Sequence, residues 1–227
     1  MTATGWKGLT RIRALVADSR RFSPDGEAQA VLAHIVQQRA PDLRRHGDSV
    51  AAMALQLGRA MGLTGSKLRA LTCAAELHDV GKVVIPDAIL DKPGPLTEDE
   101  WALMRRHTVL GQKIVVAAPS LAPLGRVVRA THERWDGNGY PDGLAGEAIP
   151  FDARIIFVCD AYDALLSERP YAPPMSAEEA LAEVRRNAGS QFDPAAVDAF
   201  CKLAEESALE RAWGSEPPAW PRELARP

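Results

Sequence analysis

The 227 residues predict an all-α fold, on three observations. Apolar side chains recur at helical spacing, as in Val50, Met53, Ala54, Leu57 and Met61, which share one face of a predicted helix. Helix-start signals precede two further segments, and the alternation typical of β-strands is scarce. The composition, with 46% hydrophobic, 25% charged and 6% aromatic residues, is that of one globular domain with a mostly aliphatic core.

The helix-start signals are two capping boxes, Thr97 with Glu100 and Ser176 with Glu179. In a capping box the two side chains satisfy each other's free backbone N–H groups at the first turn. The segment 154–166 begins with the strand-like run RIIFV, but it continues at helical spacing and is therefore predicted to be a buried helix.

One segment, residues 135–150 (WDGNGYPDGLAGEAIP), cannot be a helix because it contains four glycines and two prolines. An irregular stretch of this length inside a compact domain is more often a functional loop than a plain connector. We therefore expect a loop that shapes a binding site. A second break, DKPGP at 91–95, is predicted to be a turn.

Charge and cysteine content exclude several classes of protein. The net charge is −3 and the pI is about 6.0, so general electrostatic binding of DNA is not expected. The three cysteines form no CxxC pair, which argues against a disulfide framework or a zinc knuckle and favours a reducing cytoplasm. No apolar run approaches the roughly 20 residues that span a bilayer, so we expect no membrane association.

Four histidines and one aspartate recur at intervals of 25 to 32 residues, about the length of one helix and its loop. They are His46, His78, His107, His132 and Asp160. His46 shares its helical face with the apolar stripe described above, and His107 shares a face with Leu103, Leu110 and Ile114. A single histidine is usually a hydrogen-bonded core or surface residue, as we expect for His34, but several aligned in this way predict a shared metal cluster in a helical bundle.

The pair His78 and Asp79, within LHDVGK, is the sharpest local signal. A carboxylate can bridge two metals, and histidine nitrogen with carboxylate oxygen suits iron or manganese. Gly81 lets the chain turn after the helix, and Lys82 can place a positive charge beside a substrate phosphate.

Four motifs together resemble the HD-GYP subgroup of the HD superfamily of metal-dependent phosphohydrolases. They are HDVGK at 78–82, VIPDAILDKPGPLT at 84–97, HERWDGNGYPDGL at 132–144 and DAYDALLSERPY at 160–171. The resemblance covers about residues 40 to 200 and implies an HD-domain helical bundle with an irregular Gly-rich GYP loop. It implies a metal-dependent phosphodiesterase that hydrolyses cyclic di-GMP to linear pGpG, and in some members on to GMP.

The predicted domain organisation follows from this resemblance. Residues 41–205 form the HD-GYP phosphohydrolase domain, preceded by an N-terminal helical extension at 1–40 and followed by a C-terminal tail at 206–227. The apolar helices also leave open a homodimer or a signalling partner protein.

The resemblance also assigns roles to individual residues. It implies two or three divalent metals, most often iron or manganese, held by His46, His78, Asp79, His107, His132 and Asp160. Asp42 occupies the place where three-metal members carry a glutamate, so it is a further metal-ligand candidate. Asp79 and Lys82 are the predicted catalytic residues, and the predicted substrate-binding residues are Lys82, Tyr140, Asp163 and Arg169.

Two departures from the family pattern bear on activity. Thr131 stands where the family usually has the first of two successive histidines, and Ala172 stands where a basic residue often follows Arg-Pro-Tyr. They motivate an alternative function, a degenerate module that binds metal or cyclic di-GMP and signals without turnover. A second alternative, an HD enzyme for a dNTP or a guanosine alarmone, is disfavoured by the GYP loop.

Overall fold

The computed structural model describes residues 27–167 and 174–205, and over these ranges it contains helices and no β-strand. The α-helices are α1 (Glu27–Arg39), α2 (Pro41–Ala60), α3 (Gly65–Leu77), α4 (Asp87–Leu90), α5 (Glu98–Arg105), α6 (His107–Val115), α7 (Gly125–Ala130), α8 (Phe151–Leu166), α9 (Ala177–Arg186) and α10 (Pro194–Glu205). Short 3-10 turns lie at Val80–Val84, Ala122–Leu124 and Gly146–Ala148. The predicted all-α fold is therefore confirmed.

Helix α2 lies at the centre of the bundle and packs against α1, α3, α8 and α10. Its predicted apolar face is buried, with Val50, Met53 and Leu57 at most 2% exposed. Burying one such side chain stabilises the fold by about 1.5–3 kcal/mol. Because His46 lies one turn before Val50 on the same face, packing of this stripe directs the imidazole toward the interior.

Both predicted capping boxes are present at the starts of α5 and α9. Thr97 and Ser176 each accept from the backbone N–H three residues on, and Glu100 and Glu179 accept in return. The strand-like run at 154–158 lies inside α8, as its helical continuation predicted.

The helix predicted to carry both Leu103 and His107 is interrupted, so that prediction of a shared face is wrong. Helix α5 ends at Arg105, α6 begins at His107, and Leu103 is 37% exposed whereas Ile114 is buried. The Nδ1 of His107 donates to the carbonyl of Met104, and Thr108 Oγ1 donates to that of Arg105. These side-chain donors take carbonyls at the end of α5 and allow the chain to change direction there.

Helix α1 contributes Leu32 and Val36 to the same core as α2. The described part of the predicted 1–40 extension thus packs on the domain, while residues 1–26 and the predicted tail 206–227 lie outside the described residues. None of the helices in the described ranges is long and apolar enough to cross a membrane.

Candidate metal centre

Five separate elements each bring one or two polar side chains to a common point. Helix α2 supplies His46, the chain just after α3 supplies His78 and Asp79, α6 begins with His107, His132 follows α7, and α8 supplies Asp160. The structure thus brings together all six of the principal ligands proposed from the sequence.

The first group of ligand atoms surrounds one oxygen of Asp79. Asp79 Oδ2 lies 3.5 Å from His78 Nε2 and 4.0 Å from His46 Nε2. Asp160 Oδ1 lies 2.9 Å from the same His46 nitrogen and 3.7 Å from His78 Nε2. These atoms are close enough to share one cation.

The second group surrounds the other oxygen of the same carboxylate. Asp79 Oδ1 lies 3.2 Å from His107 Nε2 and 3.9 Å from His132 Nε2. In each group of three, His46 with His78 and Asp79, or Asp79 with His107 and His132, the ligand atoms lie within 4.8 Å of one another. Asp79 offers one oxygen to each group, which is the arrangement of a bridging carboxylate.

Hydrogen bonds outside the cluster orient the histidines. His78 Nδ1 donates to the carbonyl of Ala75 at 2.7 Å, and His107 Nδ1 donates to that of Met104 at 2.8 Å, so each Nε2 points inward. His46 Nδ1 lies 2.6 Å from Asp163 Oδ2. Such partners fix the tautomer and the ring orientation of metal-binding histidines.

The residues present fit a metal, because several of their polar atoms are buried without hydrogen-bond partners. These atoms are the Nε2 atoms of His78, His107 and His132 together with Oδ1 of Asp79. A buried polar group without a partner costs a few kcal/mol, and a shared cation would satisfy all four atoms. The mixture of imidazole nitrogen and carboxylate oxygen suits a transition ion such as iron or manganese.

The charge states of Asp79 and His107 favour metal binding. Burial alone would raise the pKa of Asp79, but Lys82 and His78 hold it well below its usual range, so Asp79 is an anion. Burial lowers the pKa of His107 and keeps this ring neutral, as a ligand must be. Burial would also lower the pKa of His46, but its hydrogen bonds with Asp160 and Asp163 raise that pKa to about 10, so this ring must release a proton when it binds a metal.

The turn after His78 and Asp79 is held tightly against the start of α6. A Cβ on Gly81 would come within 1.9 Å of the carbonyl oxygen of His107, so only glycine permits this approach. The approach brings His107 next to Asp79. Lys82, in the same turn, forms an ion pair with Asp79.

The Gly-rich loop is irregular, as predicted, apart from the 3-10 turn at Gly146–Ala148. Its Tyr140 ring stacks on His132, with ring centroids 5.2 Å apart and an interplanar angle of 12°. Burial raises the pKa of Tyr140, so its hydroxyl stays protonated.

Sequence reasoning missed Glu133, which is 2% exposed and organises this loop. Its two carboxylate oxygens accept from the backbone N–H groups of Asp142, at 2.6 Å, and Leu144, at 3.0 Å. Its position next to His132 in the HER motif was the one available signal.

Of the remaining predicted residues, only Asp163 contacts the cluster within the part of the chain that the structure describes. Asp42 is 89% exposed at its side chain and pairs with Arg45, so the structure does not bring it to the other ligands. Thr131 is buried, and its hydroxyl donates to the carbonyl of Val128 at 3.2 Å. Arg169 and Ala172 lie outside the described residues. Asp163 contacts His46 and accepts from Ser49.

A cavity of about 890 Å³ opens onto the cluster. His46, His107, His132 and Asp160 line it together with Lys82, Tyr140 and residues of α5, α8 and α9. This volume is within the range of sites that hold small molecules and cofactors. The cluster therefore faces a space large enough for a sizeable nucleotide.

Comparison with known proteins identifies relatives along most of the chain. The HD domain family model matches residues 30–196. The cyclic di-GMP phosphodiesterase response regulator RpfG of Xanthomonas campestris is 40% identical over 190 residues, 83% of this chain and 50% of that protein. The 3′3′-cGAMP-specific phosphodiesterase 2 of Vibrio cholerae is 37% identical over 183 residues, 80% of this chain and 35% of that protein.

Among solved structures, the HD domain of the L. monocytogenes phosphodiesterase PgpH in complex with cyclic-di-AMP matches with a TM-score of 0.62 and 15% identity. The match covers 82% of this chain and 98% of that one, and it shows a common fold. This chain spans 50% of the length of RpfG and 35% of the length of the 3′3′-cGAMP-specific phosphodiesterase 2. With the family model matching most of its length, the chain belongs to the HD domain family, as its HD-GYP motifs predicted.

Proposed function

We propose that this domain is a metal-dependent phosphodiesterase that hydrolyses cyclic di-GMP to linear pGpG. The observation that carries the proposal is the position of Asp79, which offers one oxygen to each of two histidine groups beside an 890 Å³ cavity. The names of the relatives, phosphodiesterases for cyclic dinucleotides, support the substrate class.

The donor set fits two divalent transition ions, iron or manganese. His46, His78, Asp79 and Asp160 would hold one ion, and Asp79, His107 and His132 would hold the other. Such a pair supplies an activated water and neutralises charge on the phosphate oxygens. Since Asp42 is exposed and paired with Arg45, we propose two ions rather than three.

The chain's own residues position the reactants. Lys82 lines the cavity beside Asp79, where its ammonium group can neutralise charge on a bound phosphodiester. Asp163 holds the His46 ring through Nδ1, so its contribution is to orient a ligand. Tyr140 forms a wall of the cavity next to His132. The phosphate contact expected of Arg169 stays a prediction.

The inactive binding module, the alternative raised by Thr131 and Ala172, is not favoured by relatives that are named phosphodiesterases. The second group retains three ligands without Thr131, and metal sites that catalyse hydrolysis commonly keep an open position. One relative is named as specific for 3′3′-cGAMP. The two bases of the preferred cyclic dinucleotide are therefore a separate property to be tested.

We also propose a cytoplasmic setting, which the three free cysteines support. A homodimer or a signalling partner remains a prediction from the sequence.

The test is to purify the protein anaerobically, measure bound metals and assay cleavage of cyclic di-GMP with added iron or manganese. We expect about two metals per chain and a linear pGpG product, with activity lost on chelation and restored by metal. Metal binding without cleavage of any cyclic dinucleotide would overturn the proposal and favour the binding module.

A further inference from the structure

One face of α5 forms a wall of the cavity. None of the residues on this face is among the site residues predicted from the sequence. Trp101, Met104 and Arg105 line the cavity, at the three- and four-residue spacing of a single helix face. Leu90 and Leu96, from α4 and the turn after it, line the cavity as well. Trp101 is 47% exposed, so a large aromatic surface remains open beside Arg105 on this wall.

Arg105 differs from the other cations that line the cavity. Lys82 is paired with Asp79, and Arg134 lies 2.7 Å from a carboxylate oxygen of Asp136. Across residues 27–167 and 174–205, Arg105 has no carboxylate partner, and its guanidinium lies over the Tyr140 ring, 5.6 Å from the centroid. Its N–H donors are therefore available to a ligand.

Arg105 is connected to the metal centre through one ring. Tyr140, which Arg105 contacts, stacks on His132, a ligand of the second group. A nucleotide with a phosphate at the metal centre can therefore extend a base along Tyr140 toward α5. The cavity is continuous over this path, since the same cavity includes His132, Tyr140, Arg105 and Trp101.

We infer that this face of α5 is a guanine subsite, in which Trp101 stacks on one base of the cyclic dinucleotide and Arg105 donates to its O6 and N7 atoms. This inference rests on the proposed function. Stacking on an aromatic ring is tolerant of base identity, because every base has a π-face. Arginine distinguishes guanine, which presents two acceptors on this edge, from adenine, whose N6 amino group is a donor.

The test compares binding of cyclic di-GMP and cyclic di-AMP to metal-loaded wild type, Arg105→Ala and Trp101→Ala, together with cleavage of cyclic di-GMP. Arg105→Ala should reduce the preference for cyclic di-GMP by about tenfold or more, chiefly by weakening binding of that nucleotide. Trp101→Ala should weaken binding of both nucleotides by about tenfold and leave the preference nearly unchanged. Metal content and thermal unfolding should match wild type in both variants.

Arg106→Ala is the matched control, because Arg106 is adjacent, also exposed and absent from the cavity wall. It should leave affinity and preference unchanged. An unchanged preference in Arg105→Ala would overturn the subsite. If both nucleotides lose affinity by the same factor, the arginine contacts a phosphate and not a base. If wild type neither binds nor cleaves cyclic dinucleotides, the proposed function fails and the subsite fails with it. If wild type cleaves cyclic di-GMP while both variants behave as wild type, the subsite alone is wrong.

Discussion

The hydroxyl of Thr131 donates to the carbonyl oxygen of Val128, 3.2 Å away, within its own turn of the chain. The side chain is 1% exposed and follows directly after α7, immediately before His132. The position where HD-GYP proteins usually have a histidine is thus occupied by a group that is already satisfied. The second ligand group is left with Asp79, His107 and His132.

Thr131→His should tighten binding of the second metal. A neutral imidazole at this position can add a fourth protein ligand to the second group. Mutating a residue that only orients a metal ligand changes metal affinity by about 10–100-fold, so a new ligand should have an effect at least this large. We therefore expect at least about a tenfold lower dissociation constant for the weaker ion, measured by competition with a chelator. The control Thr131→Val keeps the shape and removes the hydroxyl, so it should leave metal content unchanged. Loss of metal in Thr131→Val would mean that the threonine itself is a ligand.

Glu133→Gln should loosen the Gly-rich loop without removing a metal ligand. The amide nitrogen of glutamine cannot accept, so one of the backbone N–H groups of Asp142 and Leu144 loses its acceptor. Losing a hydrogen bond to the buried side chain of Glu133 should cost about 1–3 kcal/mol, which urea unfolding should detect. The control is Glu147→Gln, an exposed glutamate in the same loop, which should unfold as wild type does. Equal stability of Glu133→Gln and wild type would contradict the anchoring role.

The ion pair between Arg129 and Asp142 should make stability depend on pH. Hydrogen bonds from the Arg129 guanidinium, both 2.6 Å long, lower the pKa of Asp142 below its ordinary value. A carboxylate with a lowered folded-state pKa stabilises the folded protein above its unfolded pKa of about 3.9. This contribution is lost as the pH falls through the folded-state pKa.

We therefore expect Asp142→Asn to be less stable than wild type at pH 6 and to approach wild type as the pH falls below about 4. Urea unfolding at a series of pH values measures this difference. The control Asp198→Asn, at an exposed aspartate, should show a smaller dependence on pH. If the free energy of unfolding differs between wild type and Asp142→Asn by the same amount at every pH, the ion pair is not the source of that difference.

The sequence was sufficient to predict the features that depend on local pattern. The apolar stripe of α2 places His46 toward the interior, and the capping boxes at Thr97 and Ser176 mark the starts of α5 and α9. The glycines and prolines of 135–150 exclude a helix. In each of these cases residues close in sequence determine the structure.

Features that depend on long-range packing were not predictable. The break at Arg106 arises where side chains of α6 take carbonyls of α5, and periodicity carries no signal for that competition. The partners of Glu133 lie nine and eleven residues away, in a loop whose path is not encoded by spacing. Arg105 joins the cavity only because α5 packs beside Tyr140.

The central claim is that Asp79 joins two metal sites, and counting metals in Asp79→Ala tests it most directly. Wild type purified anaerobically should carry about two transition ions per chain, and Asp79→Ala should lose both, together with turnover, because each ligand group loses its shared oxygen. The control Asp91→Ala, at an exposed aspartate, should keep wild-type metal content. A folded Asp79→Ala protein that still binds two ions and cleaves cyclic di-GMP normally would contradict the account.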